Sequence, residues 1–491
     1  MRLPLKSLVT YLLLVGIPFA LLALILHAGG GLQAPAAAVA APGHAADPGS
    51  PAAMPRLGLL LVQIAAVVIA ARGVGLLFRR VGQPQVVGEM AAGILLGPSF
   101  LGWIAPAVSG RLFPPGSLGF LNSISQVGLL VFMFLVGLEL NPRLLRGRGK
   151  TALFTSHASI VVPFVLGALL SLQLYPRLSD RSVGFTGFAL FMAAAMSVTA
   201  FPVLARILSE RGLMRTRVGA VTLACAAVAD VTAWCILAVV VAIVGAREGG
   251  VPPWVTVAGA VLFVAAMVGV ARRGLVVLER RFERDGRVTQ DVLGAILLVA
   301  LASAWATEAL GVHALFGAFM AGAVMPKGKA FVHALNGKLE DVTVVLLLPL
   351  FFAFTGLRTH IGLVEGSEMW GWCALVVLVA VAGKFGGSAA AARLTGMSWR
   401  EAGAIGTLMN TRGLMELVIL NIGLDIGVIS PAVFAMMVLM ALATTVMTSP
   451  LLALVYPAHL IRHAPADDED RPDSPLAVLP SSSAAPRETL P

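Results

Sequence analysis

The chain has 491 residues, of which 58% are hydrophobic and only 12% are charged, and its mean hydropathy is +0.91. This composition excludes a soluble globular domain and is typical of a polytopic membrane protein. The formal net charge of +10 does not require a nucleic-acid partner, because Lys and Arg collect in the cytoplasmic loops of membrane proteins. The apolar stretches are continuous rather than alternating, so we predict an all-α protein that crosses the bilayer many times.

Residues 1–56 combine an apolar stretch at 8–27 with a Pro- and Ala-rich stretch at about 29–55. Two interpretations of the apolar stretch remain open, namely a first transmembrane helix and a signal peptide that is cleaved among the small residues after it. The stretch is long for a signal peptide, which favours the helix. The Pro- and Ala-rich stretch is predicted to be a flexible loop.

Thirteen further apolar stretches follow, and most are long enough to cross a bilayer core, which takes about 20 helical residues. With the first stretch they predict 13–14 transmembrane helices. Their approximate positions are 57–79, 85–104, 118–140, 150–174, 183–208, 217–244, 253–273, 289–310, 312–326, 340–357, 370–393, 402–424 and 431–455.

The loop charges predict the orientation. Most Lys and Arg fall on one side of the predicted spans, which the positive-inside rule makes cytoplasmic. The C-terminal tail, 457–491, lies on that side and is rich in Pro, Ser and acidic residues, so we expect it to be disordered. The Ala- and Gly-rich, Arg-favouring composition suggests a bacterial inner membrane. The basic loops are 79–80, 143–150, 206–217, 272–287, 327–338 and 393–400.

Two halves of the chain resemble each other in opposite orientation. Phe351–Leu357 is similar to Phe132–Leu138, and predicted spans that begin at 183 and 402 keep the same spacing. An odd number of spans separates the equivalents, so the halves are related by inversion. Inverted repeats are typical of transporters, in which discontinuous helices of the two halves cross at the substrate site.

Both halves also carry a predicted helix break. Ser197, Thr199 and Pro202 lie in the second half of one span, where Pro202 removes a backbone donor and frees carbonyl oxygen. The equivalent span of the other half holds a polar insertion. A simple kink is the alternative interpretation, but matched breaks in both halves favour a transport site. The insertion consists of Asn410, Thr411, Arg412 and Gly413.

Asp230 is the only charged residue after Arg217 in the apolar run from Arg217 to Val244. Inserting a carboxylate near the bilayer midplane costs about 2.5–3.5 kcal/mol or more of free energy, so we expect it to have a structural or functional role. One interpretation is a structural Asp that is bonded to a neighbouring helix. The other, which we favour, is a carboxylate that binds a monovalent cation or a proton, with oxygens from Thr199, Ser197 and the unwound backbone.

Lys384 lies too deep in its span to reach the membrane surface easily, and we expect it to pair near Asp230. Arg412 and Glu416 are four residues apart and are expected to pair with each other. No spacing of His, Cys, Asp or Glu predicts a transition-metal site. No nucleophile–His–Asp set and no Gly-rich phosphate loop occurs, so we predict neither an enzyme nor a bound cofactor.

As an ordered set, five motifs resemble the monovalent cation:proton antiporter family 2, which includes sodium/proton and potassium/proton exchangers. The resemblance covers about Leu57–Tyr456, nearly the whole membrane region. The motifs are Gly82–Pro98, Phe134–Glu139, Ser197–Leu208, Ala229–Trp234 and Asn410–Leu417.

The resemblance implies a homodimer with the sodium/proton antiporter fold, in which two unwound helices cross in a core domain. It places the family's essential aspartate on Asp230 and its core lysine on Lys384. Many relatives carry a second acid or an Asn where this chain has Ala229. Lys384 must therefore find another partner, such as Asp230 itself.

The sequence thus predicts a secondary active transporter that exchanges K+ or Na+ for protons. Its membrane domain spans 57–456, with core elements at about 150–244 and 370–455 and the remainder as a dimerisation scaffold. A channel-like potassium efflux protein gated by a soluble partner is the first alternative, although no cytoplasmic nucleotide-binding domain is present in the sequence. An ion sensor is the second.

Overall fold

The computed structural model describes residues 5–35, 57–139, 149–180, 183–214, 216–245 and 253–457. Most of the predicted Pro- and Ala-rich loop and nearly all of the predicted tail lie outside these ranges. The described residues form helices joined by short turns, and their bounds follow from apolar runs that end at Gly, Pro or charged residues.

Twenty-one α-helices follow one another in the described residues. Three of the longer helical stretches contain a π-helical turn, at Met267–Ala271, Thr343–Leu347 and Ala382–Gly386. The helices are α1 (Leu5–Gly29), α2 (Leu57–Arg80), α3 (Gln85–Leu96), α4 (Leu101–Ile104), α5 (Pro106–Leu112), α6 (Pro115–Glu139), α7 (Gly149–Leu178), α8 (Phe185–Ser197), α9 (Phe201–Glu210), α10 (Arg217–Gly245), α11 (Pro253–Ala266), α12 (Arg272–Asp285), α13 (Gln290–Ala309), α14 (Ala314–Val324), α15 (Lys329–Val342), α16 (Leu348–Leu357), α17 (Gly366–Val381), α18 (Gly387–Leu394), α19 (Trp399–Met409), α20 (Leu414–Asp425) and α21 (Pro431–Val455).

These helices confirm the predicted all-α membrane fold. Within the described residues, 11 helical stretches are long and apolar enough to cross a membrane. The other predicted spans correspond to α1, to the short apolar helix α14 and to the interrupted pair α19 and α20. In α1, Ile25 is buried in the main hydrophobic core.

The two halves of the chain interlock through glycines. Gly137 of α6 lies directly against the backbone of Phe319 in α14, and Gly322 of α14 lies against the backbone of Phe134 in α6. Neither site has room for a Cβ atom. Small residues are what allow membrane helices to approach this closely and to gain van der Waals contact.

A second helix pair repeats this contact with the halves exchanged. Gly356 of α16 meets the backbone of Gly93 in α3, and Gly93 in turn meets the backbone of Phe352. Each pair therefore joins one helix of the first half to one helix of the second. The inverted repeat that the sequence predicts is thus built into the packing of four helices.

Lys327 closes one end of the α6–α14 pair. Its ammonium group donates hydrogen bonds to the carbonyl oxygens of Gly137, Leu138 and Gly322, at 2.9, 2.8 and 3.1 Å. Carbonyls at helix C-termini have no intrahelical donor, so a cation is favourable there. Burial lowers the pKa of Lys327 to about 7, an effect that Arg272 increases and Glu139 opposes.

A second bundle surrounds the interrupted helices. The long helix α7 packs along α8, α10, α17 and α18, while α19 packs against α10, α18 and α21. Nearly all of α8 is buried, and so are the facing sides of α19, α20 and α21. Two helix breaks thus lie at the centre of the protein, away from the surrounding surface.

The glycine contacts can be tested in α6, which offers a matched control. We expect Gly137→Ala to lower stability by about 1–3 kcal/mol, because the added methyl overlaps the α14 backbone. Gly119→Ala, in the same helix with open space around it, should be neutral or slightly stabilising. Thermal unfolding of both purified variants in detergent measures this. Equal melting temperatures would contradict the packing role of Gly137.

Candidate functional site

The first helix break separates α8 from α9. Helix α8 ends at Ser197, and residues 198–200 are not helical, with extended backbone angles at Val198 and Ala200, before α9 begins at Phe201. Pro202 lies in the first turn of α9, where the missing N–H costs nothing and the fixed φ suits a helix start. The helix break predicted around Pro202 is therefore confirmed: the helix stops and restarts, and the alternative of a simple kink is wrong.

The second break separates α19 from α20. Helix α19 ends at Met409, the backbone leaves the helix through Asn410–Gly413, and α20 begins at Leu414. The polar insertion predicted from the sequence is thus the non-helical segment itself. In a membrane, such a backbone is tolerated only where it is buried in protein or lines a cavity.

The two breaks cross and satisfy each other's backbone groups. The amide of Ala200 donates to the carbonyl of Thr411 at 3.1 Å, which joins the two segments directly. The hydroxyl of Thr199 donates to the carbonyl of Met409 at 3.3 Å, at the end of α19. The C-termini of both half-helices, with their partial negative charge, therefore meet at the crossing.

Arg412 stabilises the end of α8 in the same way. Its guanidinium donates to the carbonyls of Ala195 and Met196, at 3.0 and 2.7 Å. It also pairs with Glu416 at 2.7 Å, and both side chains are fully buried. The predicted Arg412–Glu416 pair is confirmed, and Arg412 also satisfies two carbonyls at the end of α8.

Thr445 of α21 holds the backbone of Arg412. Its hydroxyl accepts a hydrogen bond from the Arg412 amide at 3.2 Å and lies 2.8 Å from the Arg412 carbonyl. Nearby, the hydroxyl of Thr411 lies 3.5 Å from that of Thr448, also on α21. The second break is therefore fixed to α21 by threonines that the sequence analysis did not single out, because threonine is common in transmembrane helices.

Lys384 lies in the π-helical turn between α17 and α18 and is fully buried. Its ammonium donates to the hydroxyl of Thr199 at 2.5 Å and to the carbonyl of Ser159 at 3.0 Å. A π turn widens the helix by one residue and is frequent at functional sites. Gly383 in this turn lies against Pro163 of α7, so the wide turn still packs closely.

Lys384 lies near Asp230, as expected, but Asp230 itself is not its direct partner in this structure. Lys384 is the nearby cation that acts on the Asp230 carboxylate, but no ion pair within 4.0 Å joins the two described side chains. The reason is that Thr199 and Ser159 already supply acceptors for the ammonium. Ala229 offers no carboxylate, so the described acceptors of Lys384 are these two neutral oxygens.

Asp230 lies near the middle of α10 and is only 2% exposed. Neither carboxylate oxygen has a hydrogen-bond partner of ordinary geometry among the described residues. The backbone amide of Phe201, at the start of α9, is close enough to act on it electrostatically. Asp230 thus lies between the positive end of α9 and Lys384, with both oxygens uncommitted.

Two further predicted site residues, Ser197 and Asn410, are also buried. The hydroxyl of Ser197 is buried and donates to the carbonyl of Ala194 within its own helix, at 2.8 Å. The side-chain oxygen of Asn410 is buried without a hydrogen-bond partner. Hydroxyl, amide, carboxylate and backbone oxygens are hard donors that suit Na+ or K+. In the described residues, no group of three or more His, Cys, Asp and Glu could hold a metal ion.

The buried pair can be tested against an exposed pair of the same spacing. We expect Glu416→Gln to lower stability by about 3–5 kcal/mol, because it leaves the buried charge of Arg412 uncompensated. Glu210→Gln breaks the exposed Arg206–Glu210 contact and should change little. Thermal unfolding in detergent compares them. A similar small shift in both variants would count against the structural role of Glu416.

Thr199 offers a test of the Lys384 contacts. We expect Thr199→Val to lower stability by about 1–3 kcal/mol, because buried Lys384 loses an acceptor and the Met409 carbonyl loses a donor. Thr199→Ser keeps the hydroxyl and should behave like the wild type. The melting temperatures of the two variants show whether the hydroxyl is responsible for the loss of stability. If the Ser variant were as unstable as the Val variant, the loss would come from packing rather than from the hydroxyl.

Comparison with known proteins places this arrangement in a family. Residues 64–454 match the family described as sodium/hydrogen exchanger, transmembrane. The Na+/H+ antiporter NhaS4 of Synechocystis sp. is 45% identical over 82% of this chain and 98% of its own length. The cation/H+ antiporter 17 of Arabidopsis thaliana is 40% identical over 86% of this chain, which spans about half, 52%, of that longer protein.

The fold agrees with a solved structure. The sodium proton antiporter of Methanocaldococcus jannaschii superposes with a TM-score of 0.56 over 83% of this chain and 99% of its own, at 15% sequence identity. At that identity the likeness concerns the fold alone. The family match covers both helix breaks and Asp230. The motifs that predicted a monovalent cation:proton antiporter are thereby confirmed, and the chain belongs to the sodium/hydrogen exchanger transmembrane family.

Proposed function

We propose that the protein exchanges a monovalent cation, Na+ or K+, for protons across the membrane by alternating access. The observation that carries this proposal is Asp230, a buried carboxylate beside two crossed helix breaks that pairs with no side chain of the described residues. A structural Asp at such depth would be bonded to a neighbouring side chain, because an uncompensated carboxylate in a membrane protein is costly.

Exchange follows from competition at one carboxylate. Ionised Asp230 attracts a cation, and the site's hard oxygens replace water around it. Protonated Asp230 has no charge and releases the cation. Both occupied forms are neutral enough to move through the membrane interior, whereas the empty ionised form is not, since moving an isolated charge there is unfavourable. Proton entry is thereby coupled to cation exit.

Lys384 adds a second competition, at Thr199. The hydroxyl of Thr199 accepts from Lys384 and donates to Met409, so one lone pair remains for a cation. A cation that binds there must approach the ammonium or displace it. We infer that Thr199 and Asp230 bind the cation while Lys384 withdraws towards Ser159, with Ser197 and Asn410 as further oxygen donors.

We place the protein in a bacterial inner membrane as a homodimer that needs no cofactor, is not an enzyme and has a cytoplasmic C-terminus. The elements at about 150–244 and 370–455 would form the moving core, and the remaining helices would form the dimerisation scaffold. The packing of α7 along α8, α10, α17 and α18 supports this division.

The exchange is tested in proteoliposomes with an imposed pH gradient and a clamped membrane potential. We expect Na+ or K+ to collapse the gradient in the wild type and to have no effect in Asp230→Asn, which cannot hold a charge. Asp291→Asn is the matched control, because Asp291 is exposed in the first turn of α13 and should leave exchange intact.

Two results would contradict the proposal. Full cation-dependent proton flux in Asp230→Asn would remove the carboxylate from the mechanism. Cation flux in the wild type that does not saturate, and does not depend on the pH gradient, would favour the channel-like alternative. Binding of a cation without any flux would favour a sensor.

A further inference from the structure

Helices α9 and α20, which follow the two breaks, end in the same way. Each is terminated by a glycine with positive φ, Gly212 at 68° and Gly427 at 67°. In each case the next amide donates to the carbonyl five residues earlier, at 2.8 Å for Leu213 and 2.9 Å for Val428. This is the Schellman ending of a helix. Aligning the two glycines shows which residues of α9 and α20 occupy equivalent positions.

The register places different charges at equivalent positions. Counting back from the two glycines, Arg206 on α9 is equivalent to Asn421 on α20, and Glu210 is equivalent to Asp425, one turn later. On the scaffold side, α6 ends in Gly-Leu-Glu139 and α16 ends in Gly-Leu followed by Arg358. The residue after the shared Gly-Leu is therefore acidic Glu139 at the predicted cytoplasmic face and basic Arg358 at the predicted external face.

At the face predicted to be external, α16 and α20 are joined by polar contacts. Arg358 pairs with Asp425 at 2.6 Å and donates to the Asn421 side-chain oxygen at 3.2 Å. Asn421 donates to the hydroxyl of Thr355 at 2.8 Å. These contacts tie the end of an interrupted helix to a helix of the other bundle.

At the predicted cytoplasmic face the equivalent residues are apart. Arg206 pairs with exposed Glu210 at 3.0 Å and reaches Gln85 at 3.5 Å, while Glu139 accepts a hydrogen bond from Asn336 at 3.2 Å. Between α6 and α9, both described in full, no hydrogen bond or ion pair is present. The protein is thus asymmetric: the contact between Arg358 and Asn421 is formed, and the equivalent contact between Glu139 and Arg206 is not.

In transporters with inverted repeats, each half adopts in the opposite state the arrangement that the other half has now. We propose that Glu139 and Arg206 form an ion pair on the cytoplasmic face in the conformation in which the Arg358–Asp425 pair is open. This inference rests on the alternating access proposed above. The two pairs act as positioning contacts that stabilise opposite states.

Crosslinking tests whether the residues meet. The three native cysteines are replaced, E139C and R206C are introduced, and membranes are treated with a short bifunctional thiol reagent. We expect crosslinking, at a rate that rises several-fold when Asp425→Asn weakens the external pair. Asp291→Asn is the matched control and should leave the rate unchanged. Absence of the crosslink in both backgrounds, or a rate that Asp425→Asn does not alter, overturns the proposal.

Charge exchange tests whether the pair matters for transport. We expect E139R and R206E to lower maximal exchange about tenfold each with the KM for the cation unchanged, and the double variant to regain most of the rate. A double variant as slow as the slower single variant overturns the pair. So does an equal loss in Glu210→Gln, which would mean that Arg206 acts through Glu210 alone.

The two assays separate this inference from the proposed function. If the wild type exchanges neither Na+ nor K+, antiport fails, but the crosslinking result still decides whether Glu139 meets Arg206. If the wild type exchanges cations and the crosslink never forms, antiport stands and the cytoplasmic pair is rejected.

Discussion

Two helices that end inside the membrane leave carbonyl oxygens that neither water nor their own helix can satisfy, and the rest of the site depends on how those oxygens are bonded. Arg412 donates to the end of α8, and Thr199 donates to the end of α19. Each donor comes from the opposite break, so neither half of the site is stable without the other. Glu416 in turn compensates Arg412, which would otherwise be a lone buried charge.

The acceptors of the two buried cations explain why neither cation pairs directly with Asp230. Lys384 is held by Thr199 and Ser159 rather than by a carboxylate, and Arg412 is held by Glu416 and two carbonyls. Both buried cations are therefore satisfied without Asp230, which keeps its oxygens free for a cation or a proton. Ala229, next to Asp230, offers no carboxylate, and Thr199 supplies a neutral oxygen to Lys384.

The helix pairs α6–α14 and α3–α16 are held together by close backbone packing rather than by polar groups. Around the four interlocked helices, glycines replace side chains, so backbones of the first and second halves touch directly. Because the two helix pairs make equivalent glycine contacts, a difference between the contacts at their ends is informative. Arg358 is engaged with α20, whereas Glu139 is not engaged with α9, and a difference between equivalent contacts is what a transporter caught in one of two states should display.

Composition and the lengths of the apolar runs determined the all-α membrane fold, because lipid offers no hydrogen bonds and continuous apolar runs can satisfy their backbone groups only within helices. Pro202 and the polar run Asn410–Gly413 marked both breaks, since each interrupts a helix by local chemistry. Asp230 stood out because a charge is rare in an apolar run. Only the tertiary structure decided which groups pair. The sequence predicted that Lys384 pairs near Asp230, and the structure shows that its acceptors there come from Thr199 and Ser159, which are distant in sequence. Contacts between helices far apart in the chain depend on packing geometry, which no local pattern encodes.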